Sequence, residues 1–275
     1  MKAALCWLAF AVMAVVNGGF REAILKPRIG EAMAHVVSTI LLTLTILGVT
    51  FIFIPWIQPS TLSEAWLIGA VWCTATLAFE FLAGHYVFGN PWEKFIADYK
   101  PANGRVWVLV PLTILVSAPL AFVGLPAQHV IPYLMSLAVG SLMLVLSIGR
   151  PHWCRWMLVA LFAYAAPYNG WLAMSRPEEY VGFAQLAIIP LVAEYVRGPF
   201  KEHAPAIIGA IAVGQALIAG LMGLGGRCFT IGAIGAVVFL LAISPLGVGS
   251  ALPFSFIVGL AAIFTSSRLA DAQGI

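Results

Sequence analysis

Residues 34–56 read AHVVSTILLTLTILGVTFIFIPW, a run with no Asp, Glu, Lys or Arg. A bilayer core of about 30 Å is crossed by roughly 20 apolar residues in helical form. Backbone groups in hydrocarbon must pair within their own segment or inside a closed barrel. A barrel strand alternates apolar and polar residues, whereas this run is apolar on consecutive positions. The stretch therefore predicts a transmembrane helix.

Working outward, eight more stretches read the same way, approximately 3–20, 65–88, 106–124, 130–148, 156–174, 204–224, 229–248 and 250–267. The composition agrees: 62% of the 275 residues are hydrophobic and 9% charged, too few charges to cover a soluble fold of this size. The expected fold class is all-α, a polytopic transmembrane bundle of about nine spans. Lys2 and the small residues around Val12-Met13-Ala14 also fit a signal peptide. The apolar run continues to Val16, so the segment is read as a retained first helix.

Orientation follows from basic residues in short loops. Arg21, Lys26, Arg28, Lys94, Lys100, Arg105, Arg150, Arg155, Arg227 and Arg268 fall on one side, and Lys2, Arg176, Arg197 and Lys201 on the other. That places the N-terminus outside and the C-terminus in the cytoplasm. The stretch 181–196 is apolar but broken by Gln185, Pro190 and Glu194. A helix of that length reaches about 24 Å, so an interfacial or re-entrant segment is expected. The chain divides into a four-helix block (1–125), a connecting helix (126–150) and a second four-helix block (151–275).

Ionisable groups at membrane depth are costly, and each invites a functional reading. Cys73, Thr76, Glu80 and Gly84 share one face of the third helix. Glu80 sits about 12 Å from that helix's inner end. Asn17, Arg21, Glu22, His35, Ser38 and His85 are expected at the same cytoplasmic-side layer, with Arg21 the natural bidentate partner of Glu80. The layer either pins three helices together or forms a site for an anionic or carbonyl-bearing head group, such as a quinone or a lipid phosphate. No metal is expected. Glu80 and His85 lie about 140° apart on the helix and cannot chelate as a pair, and Arg21 would repel a cation.

In the sixth helix Tyr164, Tyr168 and Trp171 share one face, as an interfacial aromatic belt or a stacking surface for a quinone ring. Gln215 reads as an interhelical hydrogen bonder, and Ser244-Pro245 as a kink. Small residues at Ala210/Gly214, Ala216/Gly220 and Ala219/Gly223 invite close helix packing, within the chain or against another subunit. Cys6, Cys73, Cys154 and Cys228 contain no C-x-x-C pair. A net charge of +3 without a basic patch is too small to suggest nucleic acid, and none is expected as a partner.

Arg155-Trp156, Pro167-Tyr168-Asn169, Gly226-Arg227 and FLLAISPLG at 239–247 resemble the DoxX-like four-helix membrane unit, over roughly two-fifths of the chain. That family includes a small subunit of a thiosulfate:quinone oxidoreductase. The resemblance implies a quinone-linked membrane role but transfers no catalytic residue. Asn17-Gly18-Gly19-Phe20-Arg21-Glu22 and Phe79-Glu80-x-x-x-Gly84-His85-Tyr86-Val87 resemble a family of bacterial membrane proteins without assigned function.

The leading expectation is a non-enzymatic accessory or structural subunit of a redox or respiratory assembly in a bacterial inner membrane. It would contact quinone or lipid as ligand, and membrane lipids and other subunits as partners. A small-solute or ion transporter using Glu80 is the first alternative. The second is a membrane enzyme acting on a lipid or quinone, with Glu80 and His85 as acid and base.

Overall fold

The computed structural model describes residues 1–87, 89, 91–99 and 105–273. Lys100, counted above with the cytoplasmic charges, lies outside the described residues. Those residues form helices and connecting turns with no strand, and the chain divides into two compact units, Met1–Leu125 and Pro126–Ile275. Among the described residues, eight helices are long and apolar enough to cross a membrane.

The first unit contains α1 (Lys2–Ile29), α2 (Glu31–Ile57), α3 (Leu62–Tyr86), the short α4 (Trp92–Asp98) and α5 (Leu109–Val123). α1 is α-helical to Phe20 and then widens into a π-helical turn over Arg21–Leu25. α3 starts at the N-cap Thr61, whose Oγ1 accepts the Glu64 N–H at 3.1 Å, and Glu64 Oε2 reaches back past the cap to accept the Ser60 N–H at 2.6 Å.

α5 is the expected span 106–124 in a shorter form. Its 15 residues reach about 22 Å, because Val106–Val108 form a turn rather than helix and Gly124, at φ +85°, ends it. Ten of those 15 residues are buried all round the helix, the mark of a core element. Around it pack Cys6 and Phe10 of α1, Leu42, Ile46 and Ile54 of α2, and Trp72 of α3. Gly69 lets α3 touch α5: a Cβ there would lie 2.2 Å from the Leu115 carbonyl oxygen. Lipid tails supply no hydrophobic drive between spans, so polar contacts help fasten them. Trp72 Nε1 donates to the Ala3 carbonyl at 2.8 Å, Trp7 Nε1 donates to Thr76 Oγ1 at 3.1 Å, and Thr50 Oγ1 donates to Ser117 Oγ at 3.2 Å.

The second unit contains α6 (Ala127–Gly149), α7 (Pro151–Ser175), the short α8 (Pro190–Tyr195), α9 (Ala204–Leu224), α10 (Gly226–Ser250) and α11 (Phe254–Gln273). α6, expected as a separate connector, belongs to this unit and packs on α7 and α11, with Gly140 facing the Phe254 ring. α10 tightens to a 3₁₀ helix at Ser244, where Pro245 removes a backbone donor. Arg155 of α7 closes the C-terminus of α9, donating to the Met222 carbonyl at 3.0 Å and the Gly223 carbonyl at 2.5 Å.

The stretch 181–196 forms no continuous helix. It is divided among a 3₁₀ turn (Pro177–Gln185), α8 and a π turn (Val196–Phe200), with Ala184, Ala187, Ala193, Val196 and Phe200 buried.

Candidate functional site

The polar residues singled out in the sequence gather in the first unit, around two cavities of opposite character. The first has a volume of 290 Å³ and is lined by Arg21, Glu22, Lys26, Glu31, Ala34, His35, Ala97, Asp98 and Arg105. Its three basic and three acidic side chains form a chain of ion pairs. Arg21 meets Glu22 at 3.1 Å, Glu22 meets Lys26 at 3.3 Å, and Lys26 meets Glu31 at 3.8 Å. Arg105 then joins Glu31 at 3.8 Å to Asp98 at 3.4 Å. All six are partly or well exposed, so each pair contributes little by itself, at most about 1 kcal/mol.

His35 differs from these, being 4% exposed. Its Nε2 accepts the Val106 N–H at 3.3 Å, which assigns the ring proton to Nδ1. The Ser38 hydroxyl donates to the His35 carbonyl at 3.1 Å and thus serves its own helix.

The second cavity, of 230 Å³, lies among α1, α2, α3 and α5. Trp7, Phe10, Ala14, Ile46, Phe79, Ala83, Trp107 and Ile114 make it mostly apolar, with Thr76, Glu80 and Gly84 on the α3 side. Thr76, Glu80 and Gly84 of the expected α3 face line this cavity, whereas Cys73 does not and packs against the apolar core. Glu80 Oε2 accepts a 2.5 Å hydrogen bond from the Tyr99 hydroxyl. Burial, and then the neighbouring Glu80 carboxylate, push the Tyr99 phenol well above its ordinary value, so it remains a donor. The Trp107 indole nitrogen is buried beside Glu80 and Tyr99 without a well-formed hydrogen bond.

The single layer expected from sequence is thus two sites and a remainder. Arg21, Glu22 and His35 line the polar cavity, whereas Glu80 lines the apolar one. The expected Arg21–Glu80 pair is replaced by Arg21–Glu22 and Tyr99–Glu80. The π turn sets Arg21 beside a half-exposed carboxylate of its own helix, which costs less ordering than reaching into the apolar cavity. His85 stacks on Trp92, with ring centroids 4.1 Å apart, and lines neither cavity. Asn17 also lines neither, and its carbonyl accepts the Arg21 N–H.

Tyr99, Trp107, Asp98, Glu31, Lys26 and Arg105 went unselected in the sequence because they lie at helix ends or in loops, where charge and aromaticity are ordinary. The one available signal was a Tyr and a Trp on either side of residues 100–104, just ahead of an apolar run.

In the second unit Tyr164 and Tyr168 stack at 6.0 Å, and Trp171 lies 6.3 Å from Tyr168; all three are exposed on α7. The neighbouring Asn169 faces inward. Its Nδ2 donates to Gln215 Oε1 at 2.7 Å, and its Oδ1 accepts from the Tyr180 hydroxyl.

Comparison with protein-family models, with curated proteins and with solved structures finds no match for this chain.

Proposed function

We propose that this protein is an integral membrane accessory or structural subunit that holds a lipid- or quinone-like molecule between α1, α3 and α5. The observation that carries this reading is the apolar cavity itself, whose wall includes the Glu80 carboxyl and the Trp107 indole. An apolar body would displace little water there. A carbonyl on its head group would accept the buried Trp107 N–H, and a hydroxyl would donate to Glu80. The indole N–H meets Glu80 and Tyr99 only in loose geometry, so a ligand acceptor would compete for it.

In this reading α5 is the ninth crossing, its short length offset by its place inside the bundle, and the distribution of basic residues puts the N-terminus outside. The DoxX-like pattern of the second unit supports attachment to a redox assembly in a bacterial inner membrane. Purification in mild detergent, followed by solvent extraction and mass spectrometry, tests the proposal. Wild type should retain a quinone or lipid at near one per chain and co-purify with partner subunits. Ala83→Phe, which fills the cavity, should lose the ligand. A ligand-free wild type, or equal content in the variant, overturns the reading.

A partly buried carboxyl at membrane depth also favours a second reading, a solute or ion transporter working through Glu80. Uptake into proteoliposomes that depends on Glu80, and is lost in Glu80→Gln, would replace the first proposal with this one. The enzyme reading is weaker, since the cavity that holds Glu80 is not lined by His85.

A further inference from the structure

The polar cavity presents both signs of charge in equal number. Its six charged side chains sum to zero: Arg21, Lys26 and Arg105 against Glu22, Glu31 and Asp98. The links of the chain are unequal. Glu31 is held by Lys26 and by Arg105 only at 3.8 Å in each case, and its side chain is 64% exposed. The other contacts are closer, at 3.1–3.4 Å. Glu31 is therefore the carboxylate most easily exchanged.

A phosphate entering between Lys26 and Arg105 would take two cations and release Glu31. An incoming anion alone would leave that carboxylate without a partner in a cavity whose other acids stay paired. A cation alone would face three basic side chains. A phosphate joined by a short linker to a primary ammonium satisfies both sides, because the ammonium donates to the freed Glu31 and to Asp98. The position suits such a group. The cavity lies where α1 ends, where α2 begins and just before α5, the level at which membrane head groups sit, and Ala34 and the buried His35 also line it.

We propose that this cavity binds a phosphoethanolamine zwitterion, with phosphate between Lys26 and Arg105 and ammonium at Glu31 and Asp98. A phospholipid head group and a free phosphoethanolamine ester share this chemistry. The site is independent of the apolar cavity, and its failure would leave the role of Glu80 intact.

The test is thermal melting of the delipidated full chain in detergent. The additives are short-chain phosphatidylethanolamine, phosphatidylcholine, phosphatidylglycerol or soluble glycerophosphoethanolamine. Phosphatidylethanolamine should raise the midpoint by several degrees, and the choline lipid, which has no ammonium hydrogens, should raise it less. Arg105→Gln and Glu31→Gln should each abolish the rise, and Ala83→Phe should keep it. Both substituted polar residues are partly or well exposed, so their midpoints without lipid report whether the variants fold. A comparable rise with the soluble ester upholds the site and assigns it a soluble occupant. An equal rise with all three lipids, a larger rise with phosphatidylglycerol, or a rise unaffected by Arg105→Gln overturns the proposal.

Discussion

The Tyr99 hydroxyl hydrogen-bonds Glu80 Oε2 at 2.5 Å, joining the end of α4 to the last third of the long apolar helix α3. Aromatic stacking holds α4 and Tyr99 against α3. Phe81 of α3 is stacked with Trp92 at 6.3 Å and with Tyr99 at 5.9 Å, and Trp92 also covers His85. A carboxyl that would be costly in lipid thus has a donor brought to it from outside the span.

Tyr99→Phe removes that donor and leaves Glu80 without its hydrogen bond. The expected loss is about 1–3 kcal/mol, read as a lower melting midpoint in detergent. Trp107→Phe should cost less, since the indole N–H makes no well-formed hydrogen bond at present. Equal losses for the two variants would show that Glu80 does not distinguish its neighbours in this way.

Glycines that look alike in sequence should separate sharply on substitution. Gly69→Ala would force a methyl to 2.2 Å from a backbone oxygen, where no rotamer can yield, so α3 and α5 must part. A loss of about 3 kcal/mol or more is expected, near the upper range for overpacked cores. A Cβ at Gly214 meets nothing within 4 Å, and Gly214→Ala should be neutral or stabilising by about 0.5–1 kcal/mol through helix propensity. Melting of both variants checks the pair, and a tolerated Gly69→Ala would mean that the two helices do not touch there.

These glycines also mark what a sequence can convey. Apolar run length found the stretches that become helices, because the demand that backbone groups pair within their segment leaves one solution. It also foresaw the broken texture of 181–196, since Gln185, Pro190 and Glu194 are visible one residue at a time. Small residues in α9 were equally visible, yet Gly214, Gly220 and Gly223 face open space while Gly232 packs on Met222 and Gly235 on Ile218. Spacing gives the face of a helix but not its neighbour. The same gap misled the pairing of Arg21 with Glu80: depth along an axis was legible, direction around it was not. Tyr99 was missed because its role depends on where the end of α4 meets α3, which no periodicity encodes.

Arg155 should be the basic residue whose loss is felt most. Its guanidinium satisfies two carbonyls at the end of α9, where the helix dipole also favours a cation, and it lies against Gly225, which has a φ of +78°. Arg155→Ala should cost about 1–3 kcal/mol, and the exposed Arg268→Ala should cost almost nothing. Matching midpoints for the two variants would show that the α9 terminus finds other donors.

Tyr180 supplies a pH-dependent prediction. Burial first, and then the nearby Tyr168 and Glu179, push its phenol up to about 12, against an ordinary value near 10. A raised folded value means that the native state holds the proton more tightly than the unfolded chain. The resulting stability is complete below about pH 10, the unfolded value, and drains away as pH rises through 12. The neutral hydroxyl is also the form that donates to Asn169, which in turn donates to Gln215, 3% exposed and in no position to recruit water. In an alkaline titration followed by tyrosinate absorbance, the folded protein should show a tyrosine that titrates near 12 and is lost in Tyr180→Phe, while the raised phenol of Tyr99 persists in both proteins. The variant should also lose less stability than wild type between pH 10 and 12. Identical titration curves and identical alkaline melting for the two proteins would place Tyr180 in contact with solvent and dissolve the link from the 3₁₀ turn to α9.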